Sequence, residues 1–220
     1  MIETKIPHTD LVGYDSLVEF LAEQRIGQIG GDFLEIGCFL GGGTAKLAQL
    51  ATALRKRVWV VDIFDPNFDE TKNTGGQSMA EYYRGHLQGA SQEEIFQAVT
   101  KPWADSIHVI KGDSRDVSFP AQTRFAFAFA DGNHDPVWVE NDFRLLWDRL
   151  TPGGWAGFHD YGGDLPQVTA TLDRMLREHA AEVDRVETIP AQWLLLVHKV
   201  SDACTSSSLR HGRPPCRPPA

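Results

Sequence analysis

Basic charge is what this chain most lacks. It carries 21 Lys and Arg against 30 Asp and Glu, a formal net charge of −9, and no basic run interrupts its body. A nucleic-acid groove needs clustered cations, so no nucleic-acid partner is expected. No apolar run approaches the roughly 18 residues that would cross a bilayer, so no membrane partner is expected either. The first residues, Met1-Ile2-Glu3-Thr4-Lys5-Ile6-Pro7, lack the charged-then-apolar order of a signal peptide. Cysteine is scarce: Cys38, Cys204 and Cys216 have spacings that suit neither a disulfide framework nor a zinc site, which points to the reducing cytoplasm. A chain of 220 residues fits one domain with a continuous core.

Glycine, by contrast, is concentrated where it matters. The stretch Phe33-Leu34-Glu35-Ile36-Gly37-Cys38-Phe39-Leu40-Gly41-Gly42-Gly43-Thr44 is a short apolar run, an acid, and then glycines that open a helix. Glycines here permit positive φ and close approach of a ligand, and Thr44 offers a hydroxyl near the helix start. Glu35 discriminates among ligands, because a carboxylate at the strand end repels a pyrophosphate but pairs with an ammonium group. Three residues separate Gly37 from Gly41, so no G-x-G-x-x-G can be aligned, which argues against a nicotinamide domain.

Glu35-x-Gly37-x-x-x-Gly41-Gly42-Gly43-Thr44 resembles the first motif of class I S-adenosylmethionine-dependent methyltransferases. The resemblance implies that Glu35, Gly37, Gly41 and Thr44 wrap the methionine part of that cofactor. Val58-Trp59-Val60-Val61-Asp62 reads as the next buried strand. Its terminal acid matches the family position whose two oxygens accept both hydrogen bonds of a ribose diol, although a helix cap or solvated strand end is the alternative. Lys111-Gly112-Asp113-Ser114 resembles the adenine-side motif. There Asp113 and Ser114 would meet the base, and Asp113 equally suits a cap on the following turn.

The remaining chain reads as a doubly wound, mostly parallel α/β sheet of seven strands. A leading amphipathic helix from Tyr14 to about Gln28 is expected against the sheet edge. Strands follow at Asp32 to Ile36, Val58 to Asp62, Ile107 to Ile110, Phe125 to Asp131, Trp155 to Asp160, Val183 to Ile189 and Trp193 to Val200. Helices are expected from Ala45 to Leu54, in two pieces between Ser78 and Thr100, from Val137 to Leu150 and from Leu165 to Ala181. In Phe125-Ala126-Phe127-Ala128-Phe129-Ala130, the alternation predicts rings on one face and a close helix on the other. Asp135-Pro136 reads as a helix cap followed by proline at the first helical position. Thr151-Pro152-Gly153-Gly154 reads as a turn. Only Pro190-Ala191 separates the last two strands, too few residues for a crossover, so they form a C-terminal antiparallel hairpin. Phe64 to Gln77 is the expected lid. Residues 1–200 make one domain, and the Ser-, Pro- and Arg-rich residues 201–220 read as a disordered or artificial tail.

Asp131-Gly132-Asn133-His134 closes the fourth strand and His159-Asp160-Tyr161 the fifth. Adjacent strands lie about 5 Å apart, so both clusters face one crevice, and two carboxylates there call for a positive partner such as a divalent cation. This arrangement resembles metal-dependent natural-product O-methyltransferases of the macrocin O-methyltransferase type. The resemblance implies Asp131 and Asp160 as metal ligands and His134 as general base, with a small-molecule hydroxyl acceptor such as a sugar or polyol. The family's acidic pair is replaced here by His159-Asp160. His159 is then a third ligand, a second base or a residue that orients Asp160, and an imidazole suits manganese, iron or zinc better than magnesium. Without metal, Asp131 would touch the methionine amino group and His134 would be satisfied by its own turn. A homodimer through the N-terminal helix or the lid follows by family analogy alone. The rival readings are a non-catalytic cofactor-binding or assembly protein and a nicotinamide oxidoreductase.

Overall fold

The computed structural model describes residues 12–201. Residues 1–11 and 202–220, with Cys204, Cys216 and nearly all of the expected tail, lie outside the described residues.

The elements alternate: α1 (Tyr14–Glu23), β1 (Asp32–Ile36), α2 (Gly42–Ala53), β2 (Val58–Asp62), α3 (Met79–Leu87), α4 (Gln92–Thr100), β3 (Ile107–Lys111), β4 (Phe125–Ala130), α5 (Pro136–Trp147), β5 (Leu150–Phe158), α6 (Pro166–Glu178), β6 (Val183–Ile189) and β7 (Leu194–Lys199). One seven-stranded sheet runs in the order β3-β2-β1-β4-β5-β7-β6. Neighbours are parallel except β7, which lies antiparallel between β5 and β6. The expected mostly parallel sheet with a closing hairpin is what forms. The winding reverses between β1 and β4, and ligands of such sheets bind outside the strand C-termini at that reversal. Among the described residues no helix is long and apolar enough to cross a membrane.

The two faces of the sheet build two buried clusters. On one, Phe33, Phe127, Phe129 and Trp155 pack under α1 and α2; on the other, Leu34 and Phe158 pack against Phe143 and Trp147 of α5 and Leu172 and Met175 of α6. Local signals start the helices. The Ser78 hydroxyl and Glu81 carboxylate form a reciprocal capping box on α3, and Asp135 accepts the Val137 N–H at 2.9 Å ahead of Pro136.

Four expectations are corrected. First, α1 ends at Glu23 and lies over the sheet centre: the Tyr14 ring meets Phe129 edge-on at 5.2 Å, and Phe20 meets Trp155 at 4.8 Å. Second, the three β4 phenylalanines do not share a face. Pairing with β5 is irregular between Phe125 and Phe127, so Phe125 turns to the α5 side while Phe127 and Phe129 face α2. Third, β5 begins at Leu150 rather than Trp155. Leu150 pairs with Phe125 and Trp155 with Phe127, so Thr151-Pro152-Gly153-Gly154 bulges out of the ladder instead of preceding it. Fourth, the last hairpin is longer than two residues, with a single 3-10 turn (Pro190–Gln192) and then Trp193 at φ 52°.

Candidate functional site

Where the sheet reverses, a cavity of about 460 Å³ opens, walled by the loops after β1, β2, β3, β4 and β5. Gly37 turns the chain at the end of β1 with φ 81°, and a Cβ there would stand 2.0 Å from the Asp131 carbonyl oxygen. Glycine is thus required by the neighbouring strand as well as by any ligand. Gly43, at the start of α2, lies under the Tyr14 ring, which a Cβ would strike at 2.3 Å. Gly41 faces Phe96 and Thr100 rather than the cavity.

Glu35, expected to pair with a ligand's ammonium, does not line the cavity. It is fully buried beneath the loop, with one oxygen accepting the Tyr14 hydroxyl at 2.7 Å and the other the Thr44 hydroxyl. Burial pushes its pKa up to about 8, against the lowering effect of those two hydroxyls. Glu35 and Thr44 therefore hold the loop from below. The physical reason is facing: Glu35 shares its side of β1 with Phe33, toward α1 and α2.

Asp62 does line the cavity. Its oxygens accept the Cys38 and Phe64 N–H groups at 2.7 Å each, which ties the end of β2 to the glycine loop. Burial raises its pKa despite those bonds. Further along the wall, Asp113 caps the following turn through the Arg115 N–H at 2.9 Å and pairs with the Arg115 guanidinium at 2.6 Å. Those bonds hold Asp113 below the usual carboxylate range. Its carboxylate also takes the Trp138 indole N–H at 3.3 Å, while the Arg115 guanidinium lies 3.8 Å from the Trp138 ring centroid. Ser114 sits beside Asn141 at 3.3 Å and near Asp142, whose buried carboxyl is pushed up to about 6.

At the other end, the fourth- and fifth-strand clusters converge as expected. His134 Nε2 lies 2.8 Å from Asp160 Oδ2 and 3.6 Å from Asp131 Oδ1. His159 Nδ1 lies 3.0 Å from Asp160 and 3.3 Å from Asp131. Sequence reasoning missed the group behind them. Asp69, buried in the loop after β2, meets His134 Nδ1 at 2.5 Å and also accepts the His134 N–H at 3.2 Å. That loop is tied down: the Asn133 amide donates to the Phe68 carbonyl at 3.2 Å, and the Thr74 N–H to the Asp164 carbonyl at 3.0 Å.

The electrostatics are those of two imidazoles among three carboxylates. Burial alone would lower both histidines; the surrounding Tyr83, Asp131, Asp160 and Asp69 hold His134 well above its ordinary value, and Asp131 and Asp160 bring His159 to about 10. Burial would likewise raise Asp131 and Asp160, and the histidines pull both below the usual range. Backbone strain gathers here too, with Phe39, Asp160 and Trp193 all in left-handed conformations on the cavity wall.

A divalent cation fits this donor set. Ligand atoms of Asp131, His134 and Asp160 lie within 4.8 Å of one another. His134 Nε2 is buried and, although close to Asp160, is not aligned for a hydrogen bond to it. His159 was expected as the imidazole ligand; the converging trio contains His134 instead, with His159 against the same carboxylates.

An α/β sheet with this strand order, a glycine loop after β1 and an acid after β2 has the class I methyltransferase architecture. Residues 34–161 match the family described as a methyltransferase domain, and the chain belongs to that family. Similar solved structures include the O-methyltransferase NovP, 19% identical with a TM-score of 0.67 over 85% of this chain and 79% of that one. Another is CalS11, a calicheamicin methyltransferase, 16% identical with a TM-score of 0.61 over 83% and 77%. MycE, a methyltransferase of the mycinamycin biosynthetic pathway in complex with Mg and SAH, is 14% identical with a TM-score of 0.51 over 87% and 54%. At these identities the likeness is one of fold. No curated protein matched the sequence.

Proposed function

We propose that the protein transfers the methyl group of S-adenosylmethionine to a hydroxyl of a small molecule, a sugar or polyol, with help from a divalent metal ion. One observation carries this reading: the Asp69–His134 pair and the Asp131–Asp160 carboxylates open into the same cavity as the Gly37 loop and Asp62. NovP is an O-methyltransferase, and MycE was solved with Mg and SAH together, which favours the same combination here.

Asp62 is suited to accept the ribose hydroxyls, and the backbone at Gly37 leaves room for the methionine part beside Asp131. S-adenosylmethionine supplies a methyl group activated by its sulfonium. The acceptor oxygen attacks that methyl in line, the C–O bond forms as the S–C bond breaks, and S-adenosylhomocysteine leaves. His134, held at Nδ1 by Asp69, takes the hydroxyl proton at Nε2. A divalent cation held by Asp131, Asp160 and His159 would lower the pKa of the acceptor hydroxyl and cancel the carboxylate charge that keeps a proton on His134. Imidazole in that set favours manganese over magnesium.

The 4.8 Å convergence of Asp131, His134 and Asp160 supports a second reading, with His134 as the ligand. Manganese binding separates them. Under the first reading His134→Ala loses turnover and keeps the ion, whereas His159→Ala weakens the ion; under the second, His134→Ala loses both. The parent proposal is tested by S-adenosylhomocysteine release from a panel of polyols and glycosides, with EDTA and then added Mg or Mn. Turnover that EDTA does not reduce contradicts the metal, and turnover only on protein or nucleic acid contradicts the acceptor.

A further inference from the structure

The acceptor end of the cavity differs in chemistry from the cofactor end. Among the described residues no Lys or Arg lines the cavity, while aspartates recur around it. Asp131, Asp160 and Asp69 are engaged with the two histidines. Asp164 is not: among the described residues its carboxylate makes no hydrogen bond or ion pair, although its carbonyl accepts the Thr74 N–H. The next wall groups are aromatic. Trp193 is 41% exposed, held at φ 52°, and its indole lies flat enough on Gly163 that a Cβ there would meet the ring at 2.8 Å. Gly163 directly precedes Asp164, so the indole and the free carboxylate share one rim. The Tyr82 phenol lines the same cavity, its pKa raised by burial and by Asp131, Asp160 and Asp164. At the floor, His134 Nε2 is buried without an aligned hydrogen bond, which marks the cavity as built for a ligand.

A carboxylate without a partner beside an exposed indole face is the environment that attracts a cation, through a charge-assisted hydrogen bond and the ring quadrupole. A phosphate brought to the same rim would meet several carboxylates and, among the described residues, no Lys or Arg, the two imidazoles being already engaged by Asp69, Asp131 and Asp160. Resting on the methyltransferase reading, we propose that the acceptor carries a protonated amine, an amino sugar or its glycoside, recognised by Asp164, Trp193 and Tyr82. A reaction that installs the amine must then precede methylation.

The test is saturation-transfer NMR on the full chain saturated with S-adenosylhomocysteine and manganese, using glucosamine, glucose and glucose 6-phosphate as matched probes. Glucosamine is expected to bind roughly tenfold more tightly than glucose, as one partly exposed charge-assisted contact provides. Glucose 6-phosphate is expected not to bind. Asp164→Asn should remove the amine preference and Asp164→Glu restore it, while Trp193→Leu should weaken both sugars, all with unchanged S-adenosylhomocysteine affinity. Equal binding of the three probes, preference for the phosphate, absence of amine binding, or an amine preference that survives Asp164→Asn would overturn the proposal. Failure of S-adenosylhomocysteine itself to bind would instead remove the methyltransferase reading beneath it.

Discussion

At the scale of single residues, the two carboxyl groups that matter most have opposite settings. Glu35 is dry and its pKa stands near 8, so the folded chain binds its proton more tightly than the unfolded chain does. Its stabilising contribution is therefore complete below the ordinary carboxylate range and is lost as pH rises from there through about 8. Replacing Glu35 with Gln should flatten that loss: melting curves of the two proteins should diverge between pH 5 and pH 8, with the variant relatively more stable at the alkaline end. Parallel curves would show that Glu35 does not titrate in this interval. Asp69 sits low, because His134 outweighs its burial. Asp69→Asn keeps the shape of the side chain but frees the His134 imidazole of its orienting charge, so kcat should fall about 10- to 100-fold, the cost typical of losing such a partner. S-adenosylhomocysteine affinity should stay the same, and a parallel loss of that affinity would mean that Asp69 acts on the loop rather than on His134.

At the scale of elements, the parallel pairing of β1 with β4 holds the two halves of the site together. The Asp131 N–H donates to the Ile36 carbonyl at 2.8 Å, and Gly37 follows at once against the Asp131 carbonyl. Gly37→Ala places a Cβ into backbone that cannot yield without opening the ladder, and also strains φ. We expect a loss of about 3 kcal/mol or more in urea denaturation, together with weaker cofactor binding. A change within about 0.5 kcal/mol, the range of ordinary surface substitutions, would contradict that packing. Elements were also the scale most legible in the sequence. Strand, loop and helix follow one another within Phe33 to Thr44, and Asp135-Pro136 announces α5 by itself, so local chemistry suffices. What stayed hidden depends on distant partners. Tyr14 is 21 positions from Glu35, and Asp69 is 65 positions from His134 in a loop without periodicity. The turn of Phe125 away from Phe127 depends on an irregular register with β5 that no alternation in β4 could reveal.

At the scale of the molecule, the strand order brings together groups that the chain keeps far apart. Loops after β1 and β2 carry the proposed cofactor end, loops after β4 and β5, with Asp69 from the loop after β2, form the acid–histidine cluster, and one cavity joins them. The pairing of Asp131-Gly132-Asn133-His134 with His159-Asp160 was legible because β4 and β5 had to be neighbours. Among the described residues no Lys or Arg lines the cavity, in keeping with the net charge of −9, though charge totals alone do not say which wall carries the excess acid. Chelation should act at this scale too: EDTA should abolish turnover without altering S-adenosylhomocysteine affinity, since the carboxylate cluster and Asp62 lie at different ends. Loss of both together would mean that the ion shapes the whole cavity.

The central claim is that the cavity at the sheet reversal binds S-adenosylmethionine, and the most direct measurement is calorimetric titration of S-adenosylhomocysteine into the wild-type chain and into Asp62→Ala. One saturable site in the wild type, weakened roughly tenfold or more in the variant, is the expected result. No heat of binding at two temperatures, or equal affinity in both proteins, would contradict it.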